Sequence, residues 1–368
     1  MKFNDVNIIQ YKNLKELSFI PHPEINAFVG LNGMGKTNIL DAIHYLCLAR
    51  SNFGRIEKNN IFFGEDFFRL KATIEVKKEI AEIVIKYSNS TAKIIEKNKV
   101  ELEKISDHIG NFPVVIITPN DKNDLLENSS MRRNFINKAL SQTDRNYLET
   151  VIKYNKILQQ RNAYLKSCPQ TKIDLLLLET YDLKMKPLAD SIYLARDKFI
   201  SDIKDNFYKS YNEISDGNEI PDMIYNSQLK NDDFLSLSKQ NLSRDIQLKR
   251  TNTGIHKDDL ELILDNKSIK QFGSQGQLKS FLLAIRLAEY TFLKNQLQND
   301  PILILDDIFD KLDNKRLKKL VEMIFNKRFG QVFISDTDKI RIEEIFATIG
   351  TDHKIFEINI GNIINTYV

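Results

Sequence analysis

Apolar residues recur along the chain with two different periods, and the periods divide it. Phe3 to Ile9 and Leu17 to Ile20 read as extended segments, Pro21 and Pro23 mark a break, and Asn26-Ala27-Phe28-Val29 reads as a short buried strand. Helical spacing follows from Lys36 to Leu48, where Ile39, Ala42, Ile43, Leu46 and Cys47 fall on one stripe. From Phe67 to about Leu102 apolar and polar residues alternate, which predicts an antiparallel meander with one wet face. Val114 to Ile117 predicts a further strand, ended by Thr118-Pro119. Beyond Asp121 the period becomes helical, from Met131 to about Lys166 and from Thr171 to about Tyr211. In the first of these, Tyr147, Val151, Tyr154, Leu158 and Leu165 form a stripe that must pack against a neighbour. The helical texture predicts an all-helical insertion running to about Arg250. After it, Leu260 to Leu264, Ile302 to Leu305 and Val332 to Ile334 read as strands, and Gln277 to Leu297 and Lys311 to Phe325 as helices. Alternating β and α elements at both ends predict an α/β core split by an insertion, with lobes at 1–118, 119–250 and 251–368.

Composition narrows the class. The 368 residues carry 53 Lys+Arg against 50 Asp+Glu, so a net charge of +3 excludes a uniformly basic surface and makes any polyanion site local. Two cysteines, Cys47 and Cys168, cannot supply a disulfide framework or a four-thiolate zinc site. Met1 to Asn7 lacks the apolar core of a signal peptide, and no apolar run approaches the ~20 residues of a membrane-spanning helix. The expectation is a soluble, cytosolic protein without a membrane partner.

Chemistry enters at Gly30-Leu31-Asn32-Gly33-Met34-Gly35-Lys36-Thr37, which fits G-x-x-x-x-G-K-[ST] between an apolar strand and a helix. A backbone curled around phosphate oxygens needs glycine where side chains would obstruct, and the helix start adds its positive end. The pattern predicts Lys36 on the β- and γ-phosphates of ATP and Thr37 on Mg²⁺. Such a site needs a carboxylate-bearing strand, and Ile302 to Leu305 followed by Asp306-Asp307 provides one. Asp306 is expected to hold Mg²⁺ and Asp307 to orient, or take a proton from, attacking water. Ser274-Gln275-Gly276-Gln277 opens a helix; by spacing alone it is either a plain capped start or a second anion site.

The order of these pieces resembles the ABC-type ATPase heads of the SMC-like group, and within it the RecF family of recombination mediators. The resemblance rests on Gly30 to Asn38, Ser274 to Gln277, Ile304 to Asp307 and Leu312-Asp313, supported by Arg132-Arg133-Asn134-Phe135-Ile136, Gln160-Arg161-Asn162 and Gly254 to Leu260, and it spans nearly the whole chain. It implies an α/β fold: an ABC-type P-loop head whose lobe I carries an antiparallel meander, split by a mainly helical lobe II. It further implies an ATP-dependent homodimer in which Ser274, Gln275, Gly276 and Gln277 contact the γ-phosphate held by the opposite subunit. Asn38 extends the nucleotide-binding run, and Asp313 belongs to a loop crossing the dimer near both nucleotides. The implied activity is weak, DNA-dependent ATP hydrolysis used as a switch in recombinational repair, with RecO, RecR and RecA as partners. Two departures stand out. Asp307 replaces the glutamate of most ABC transporters, and Ser335-Asp336-Thr337-Asp338 stands where they place a γ-phosphate-sensing histidine, leaving that role to Asp336 or Thr337 or removing it.

Between Met131 and Gln170 eight basic residues face two acids, a local excess able to neutralise phosphates without reading sequence. Arg132, Arg133, Lys138, Lys153 and Arg161 are the candidate contacts to duplex or gapped DNA, against the alternative that these are cations of a solvated helix face. Other classes fit less well. A transporter-type subunit is disfavoured by the helical insertion and the missing histidine. An SMC-type tether is disfavoured because the 270 residues between Lys36 and Asp306 are too few for a long two-way coiled coil. A nucleotide kinase would need an arginine-bearing lid that the sequence does not display.

Overall fold

A computed structural model describes residues 1–54, 56–215, 219–309, 314–324, 329–349 and 352–368. The chain opens with β1 (Lys2–Tyr11), β2 (Leu14–Phe19), β3 (Ile25–Val29) and α1 (Lys36–Leu48), followed by β4 (Phe67–Val76), β5 (Glu79–Ser88), β6 (Ile94–Lys97), β7 (Val100–Glu101) and β8 (Val114–Ile117). Then come α2 (Ser129–Thr143), α3 (Arg145–Ser167), α4 (Leu175–Ile214), β9 (Pro221–Asn226), α5 (Phe234–Leu248), β10 (Asp259–Leu264), β11 (Lys267–Ser268), α6 (Ile269–Phe272) and α7 (Gln275–Leu297). The chain closes with β12 (Ile302–Asp306), α8 (Asn314–Met323), β13 (Val332–Asp336), α9 (Lys339–Ile349), β14 (His353–Asn359) and β15 (Asn362–Tyr367).

Two compact units result. The first comprises Met1–Asp121, Lys209–Asn218 and Lys279–Val368, the second Lys122–Tyr208 and Glu219–Leu278. In the first unit, β2-β1-β4-β5-β6-β7 form an antiparallel sheet, as the period-two alternation predicts. A second sheet has the order β15-β14-β3-β13-β12-β8, in which all pairs but β14–β15 are parallel. Its strands β3, β8, β12 and β13 are buried throughout, which is why they read as unbroken apolar runs and not as alternations. Helix α1 is sequestered with them: Ile39, Leu40, Ala42, Ile43, Leu46 and Cys47 pack into one core with Phe28, Phe68, Ile304 and Phe333.

Register decides where the chemistry falls. Asp336 of β13 pairs with Val29 of β3, and Ser335 of β13 pairs with Asp306 of β12. The carboxyl ends of three parallel strands therefore meet at one edge, the usual ligand position in an open α/β sheet.

The second unit departs from the sequence expectation in three ways. The predicted helix over 131–166 is broken at Asp144, whose extended backbone (φ −136°) and carboxylate, accepting from the Asn146 and Tyr147 N–H groups at 2.8 and 3.1 Å, start α3. The insertion is not all-helical, because β9 pairs along its length with β10, from Asp259↔Asn226 to Leu264↔Pro221. That pairing moves the expected boundary at 250: residues 251–278 group with the insertion, while 209–218 group with the first unit. Pro187 lies inside α4 without ending it. Helix α8 is described over Asn314–Met323, and the ends of the helix expected at Lys311 and Phe325 lie outside the described residues. Among the described residues no helix is long and apolar enough to cross a membrane.

Candidate nucleotide site

The loop between β3 and α1 begins at Gly30, where φ is +149° and an added Cβ would lie 2.4 Å from the Ile358 carbonyl oxygen. Any side chain there would push the loop off β14. The other face of the loop is braced by the C-terminal hairpin: the Gly361 N–H donates to the Met34 carbonyl at 2.8 Å. Gly361 has a φ of +74°, and a Cβ there would come within 2.7 Å of the Asn13 carbonyl oxygen, so both backbone and space call for glycine. Asn13, in the β1–β2 turn, accepts from Asn38 Nδ2 at 2.7 Å and donates to the Gly33 carbonyl at 3.4 Å. Two hairpins distant in sequence thus fix the curvature of the loop. Behind it, Asp41 is fully buried and accepts from Tyr11 Oη at 2.6 Å, Ser51 Oγ at 2.7 Å and the Asn52 N–H at 2.8 Å, tying α1 to β1.

A small cleft opens at the front, lined by Asn32, Gly33, Gly35, Lys36, Thr37, Asn38 and Asp307. Lys36 Nζ donates to the carbonyls of Gly30 at 2.7 Å and Leu31 at 3.0 Å. Burial lowers its affinity for a proton, opposed by the charges of Asp307, Asp306 and Asp336. Thr37 Oγ1 donates to Asp306 Oδ1 at 2.8 Å, and Ser335 Oγ donates to the same oxygen at 2.8 Å. Burial raises Asp306 above the usual carboxylate range, and the hydroxyls of Ser335 and Thr37 work against that rise. A cation beside these oxygens would remove the cost of holding the charge there. The paired hard oxygens of Thr37 and Asp306 are the donor chemistry that a magnesium ion takes. Asp307 has a left-handed backbone (φ +50°), and its N–H donates to Ser335 Oγ at 3.0 Å.

Of the residues expected from the sequence, Gly30 to Thr37, Asp306 and Asp307 come together here, and Asn13, Ser335 and Gly361, which brace them, were not among those expected. Asp336, a candidate for the sensing role, is buried and committed: Arg341 of α9 donates to it at 2.5 and 3.2 Å, and the Asp338 N–H at 2.7 Å. Asp313 lies outside the described residues.

In the second unit, Ser274 caps α7 reciprocally. Its N–H donates to Gln277 Oε1 at 2.6 Å, and the Gln277 N–H returns to Ser274 Oγ at 3.2 Å. Gln277 Nε2 also donates to Glu219 at 2.5 Å, and Gln275 Oε1 accepts from Lys122 Nζ at 3.3 Å. Ser274 is exposed, so the cap leaves its hydroxyl hydrogen available to a ligand.

The candidate DNA residues divide. Arg161 is fully buried and donates to Asp182 at 2.8 Å, Asp245 at 2.7 Å and Thr251 Oγ1 at 2.9 Å, so the expectation that it touches DNA is corrected. Arg132 is committed as well, bidentate to Asp259 at 2.7 and 2.8 Å with Nη1 on the Leu125 carbonyl at 2.9 Å. Arg133 and Lys138 are half-buried, and Lys153 is exposed.

Comparison with known proteins agrees with this geometry. The RecF/RecN/SMC N-terminal domain family matches residues 2–354. A DNA replication and repair protein RecF of Flavobacterium johnsoniae is 40% identical over 359 residues, covering 97% of this chain and 100% of its own. That of Porphyromonas gingivalis is 37% identical, covering 99% and 100%. A solved structure of the recombination mediator protein RecF with ATP superposes with a TM-score of 0.89 at 26% identity, covering 100% of this chain and 98% of that one. An SMC head domain, 14% identical over 98% of this chain and 94% of its own, shares the fold with a TM-score of 0.58. Fold and site together define the class: an ATPase head of the SMC-like ABC type, with a mixed α/β core. Within that class, the chain belongs to the RecF family of DNA replication and repair proteins.

Proposed function

We propose that the chain is an ATP-gated DNA-binding protein of recombinational repair. The observation that carries this is the convergence of Thr37 and Asp306, 269 residues apart in sequence and 2.8 Å apart in space, beside a loop held in phosphate-cradling curvature. Lys36 leaves its two backbone carbonyls for the β- and γ-phosphate oxygens of ATP, and the N–H groups from Gly33 to Thr37 bind the remainder. Thr37 and Asp306 hold magnesium, which when bound supplies charge neutralisation for the phosphates. Asp307 orients the attacking water and accepts its proton, in a backbone conformation held by Ser335. Asp336 is committed to Arg341, which leaves sensing of the γ-phosphate to Thr337 or removes it.

Ser274, Gln275, Gly276 and Gln277 of a second copy complete the site by donating to the γ-phosphate, so ATP joins two heads and hydrolysis removes the contact. The dimer grips duplex or gapped DNA irrespective of sequence, slow DNA-dependent hydrolysis sets the residence time, and partners of the RecO and RecR type then support RecA loading. One solved relative is described as a recombination mediator of the RecFOR pathway, which favours this reading over a mechanical tether or transporter subunit. Retention on gapped duplex DNA tests it. ATP is expected to lengthen retention about tenfold over ADP, a usual size for coupling between two sites; equal retention with the two nucleotides contradicts the proposal.

A further inference from the structure

We propose that Arg133, Arg244, Arg250 and Lys257, in the second unit, form a phosphate-binding cluster that takes the sugar–phosphate backbone of nucleic acid. The inference deepens the DNA-binding reading above and rests on it. Hydrogen bonds place these four residues together. His256 Nε2–H donates to the Thr251 carbonyl at 3.1 Å and closes the loop between them, which brings Arg250 and Lys257, one residue outside on each side, next to one another. Asp245, immediately after Arg244, accepts from Asn252 N and Nδ2 at 2.9 and 3.0 Å, so the end of α5 is stitched to the same loop. Arg133 Nη1 donates to the carbonyl of Asp258, the residue after Lys257, at 2.6 Å. The loop is rigid: the Thr251 N–H donates to Asn162 Oδ1 at 2.7 Å, and Tyr154 Oη donates to His256 Nδ1 at 2.9 Å. Burial pushes His256 down to about 4, so it stays neutral and the loop keeps its shape at neutral pH.

The acids of this region are already committed. Asp245 takes Arg161, Asp258 takes Arg196 and Tyr225, and Asp259 takes Arg132. Arg244, Arg250 and Lys257 are exposed, and no carboxylate pairs with them among the described residues. The ammonium of Lys257 is correspondingly pushed down, by partial burial and by the like charges of Arg250, Arg133 and Arg244, with Asp245 opposing. Favourable contact with the negative end of α5 would account for Arg250 but not for Arg133, on α2, or Lys257, in the loop. Three guanidinium forks suit the bidentate geometry of phosphate oxygens. Arg244 lies within α5, which ends at Leu248, and Arg250 lies past that end with its N–H on the Asp245 carbonyl at 3.1 Å, so the four cations come from three separate segments, a spread that suits a polymer better than a single phosphate.

The test compares wild type with the Arg250→Ala/Lys257→Ala double variant on duplex DNA over a salt series. A Lys77→Ala/Lys78→Ala double variant, in the β4–β5 turn, controls for the loss of two charges. The cluster variant is expected to lower the slope of log affinity against log salt by about 2, from ~0.9 per phosphate contact, with ATP affinity and melting temperature unchanged and the control variant at wild-type slope. An unchanged slope in the cluster variant, or an equal loss in the control, overturns the assignment. Binding of polyglutamate as tight as binding of the duplex overturns it in favour of an acidic protein. Failure of the wild type itself to bind DNA with ATP or ADP overturns the function proposed above, a result distinct from either.

Discussion

Replacing Lys36 with alanine is expected to reduce ATP turnover on the order of a hundredfold or more while leaving the fold intact. The side chain lines the cleft, and among the described residues its amine donates to two backbone carbonyls, those of Gly30 and Leu31. Gly30 is half-buried and Leu31 exposed, so water can replace the amine once the side chain is gone. Burial already disfavours the ammonium, so its position holds a charge that the fold gains little from. Binding of a fluorescent ATP analogue and phosphate release measure the loss, and a melting temperature within a few degrees of wild type separates it from unfolding. Turnover retained at wild-type level would remove Lys36 from the phosphate site.

Arg161→Ala is expected to cost about 3–5 kcal/mol, a large share of an ordinary domain's stability. The guanidinium has no exposed surface, and its removal leaves the carboxylates of Asp182 and Asp245 buried without their counter-charge. Ser238 Oγ, 2.6 Å from Asp182, is a neutral donor and cannot replace it. Arg161→Lys recovers only part of the loss, because an ammonium cannot span Asp182, Asp245 and Thr251 with a planar fork. Lys153→Ala on the same helix, at an exposed position, is the contrast and leaves stability within about 0.5 kcal/mol. Urea unfolding of the two variants decides between a structural arginine and a surface cation on α3.

That contrast shows what a linear pattern holds. Tyr147, Val151, Tyr154 and Leu165 are buried as their spacing predicts, and Arg161 falls on the same stripe, seven residues after Tyr154. Its position on the inner face was legible; its charge concealed it, because the acids that neutralise it come from α4 and α5. The phosphate loop was legible because strand, loop and helix are contiguous, and Asp306 because an unbroken apolar run leads into it. Ser335, Asn13 and Gly361 were not legible. Each acts through register or through a turn brought from elsewhere: Ser335 by pairing opposite Asp306, and Asn13 and Gly361 by bracing a loop that neither adjoins. Strand β9 escaped notice for a related reason, since its neighbour in the sheet, β10, begins 33 residues after β9 ends. The four-cation cluster likewise joins α2, the end of α5 and a loop, segments that no single window of sequence contains.

The account rests on ATP acting as the link between two copies through Ser274. Sedimentation of the full chain at one protein concentration, with ATP or ADP and magnesium, measures this for wild type and Ser274→Arg, a change that puts a bulky cation on the exposed start of α7. A wild-type dimer with ATP, a monomer with ADP, and a Ser274→Arg chain that binds ATP yet stays monomeric is the predicted result. A wild-type chain that saturates with ATP and remains a monomer, or a Ser274→Arg chain that dimerises as readily as wild type, would contradict it.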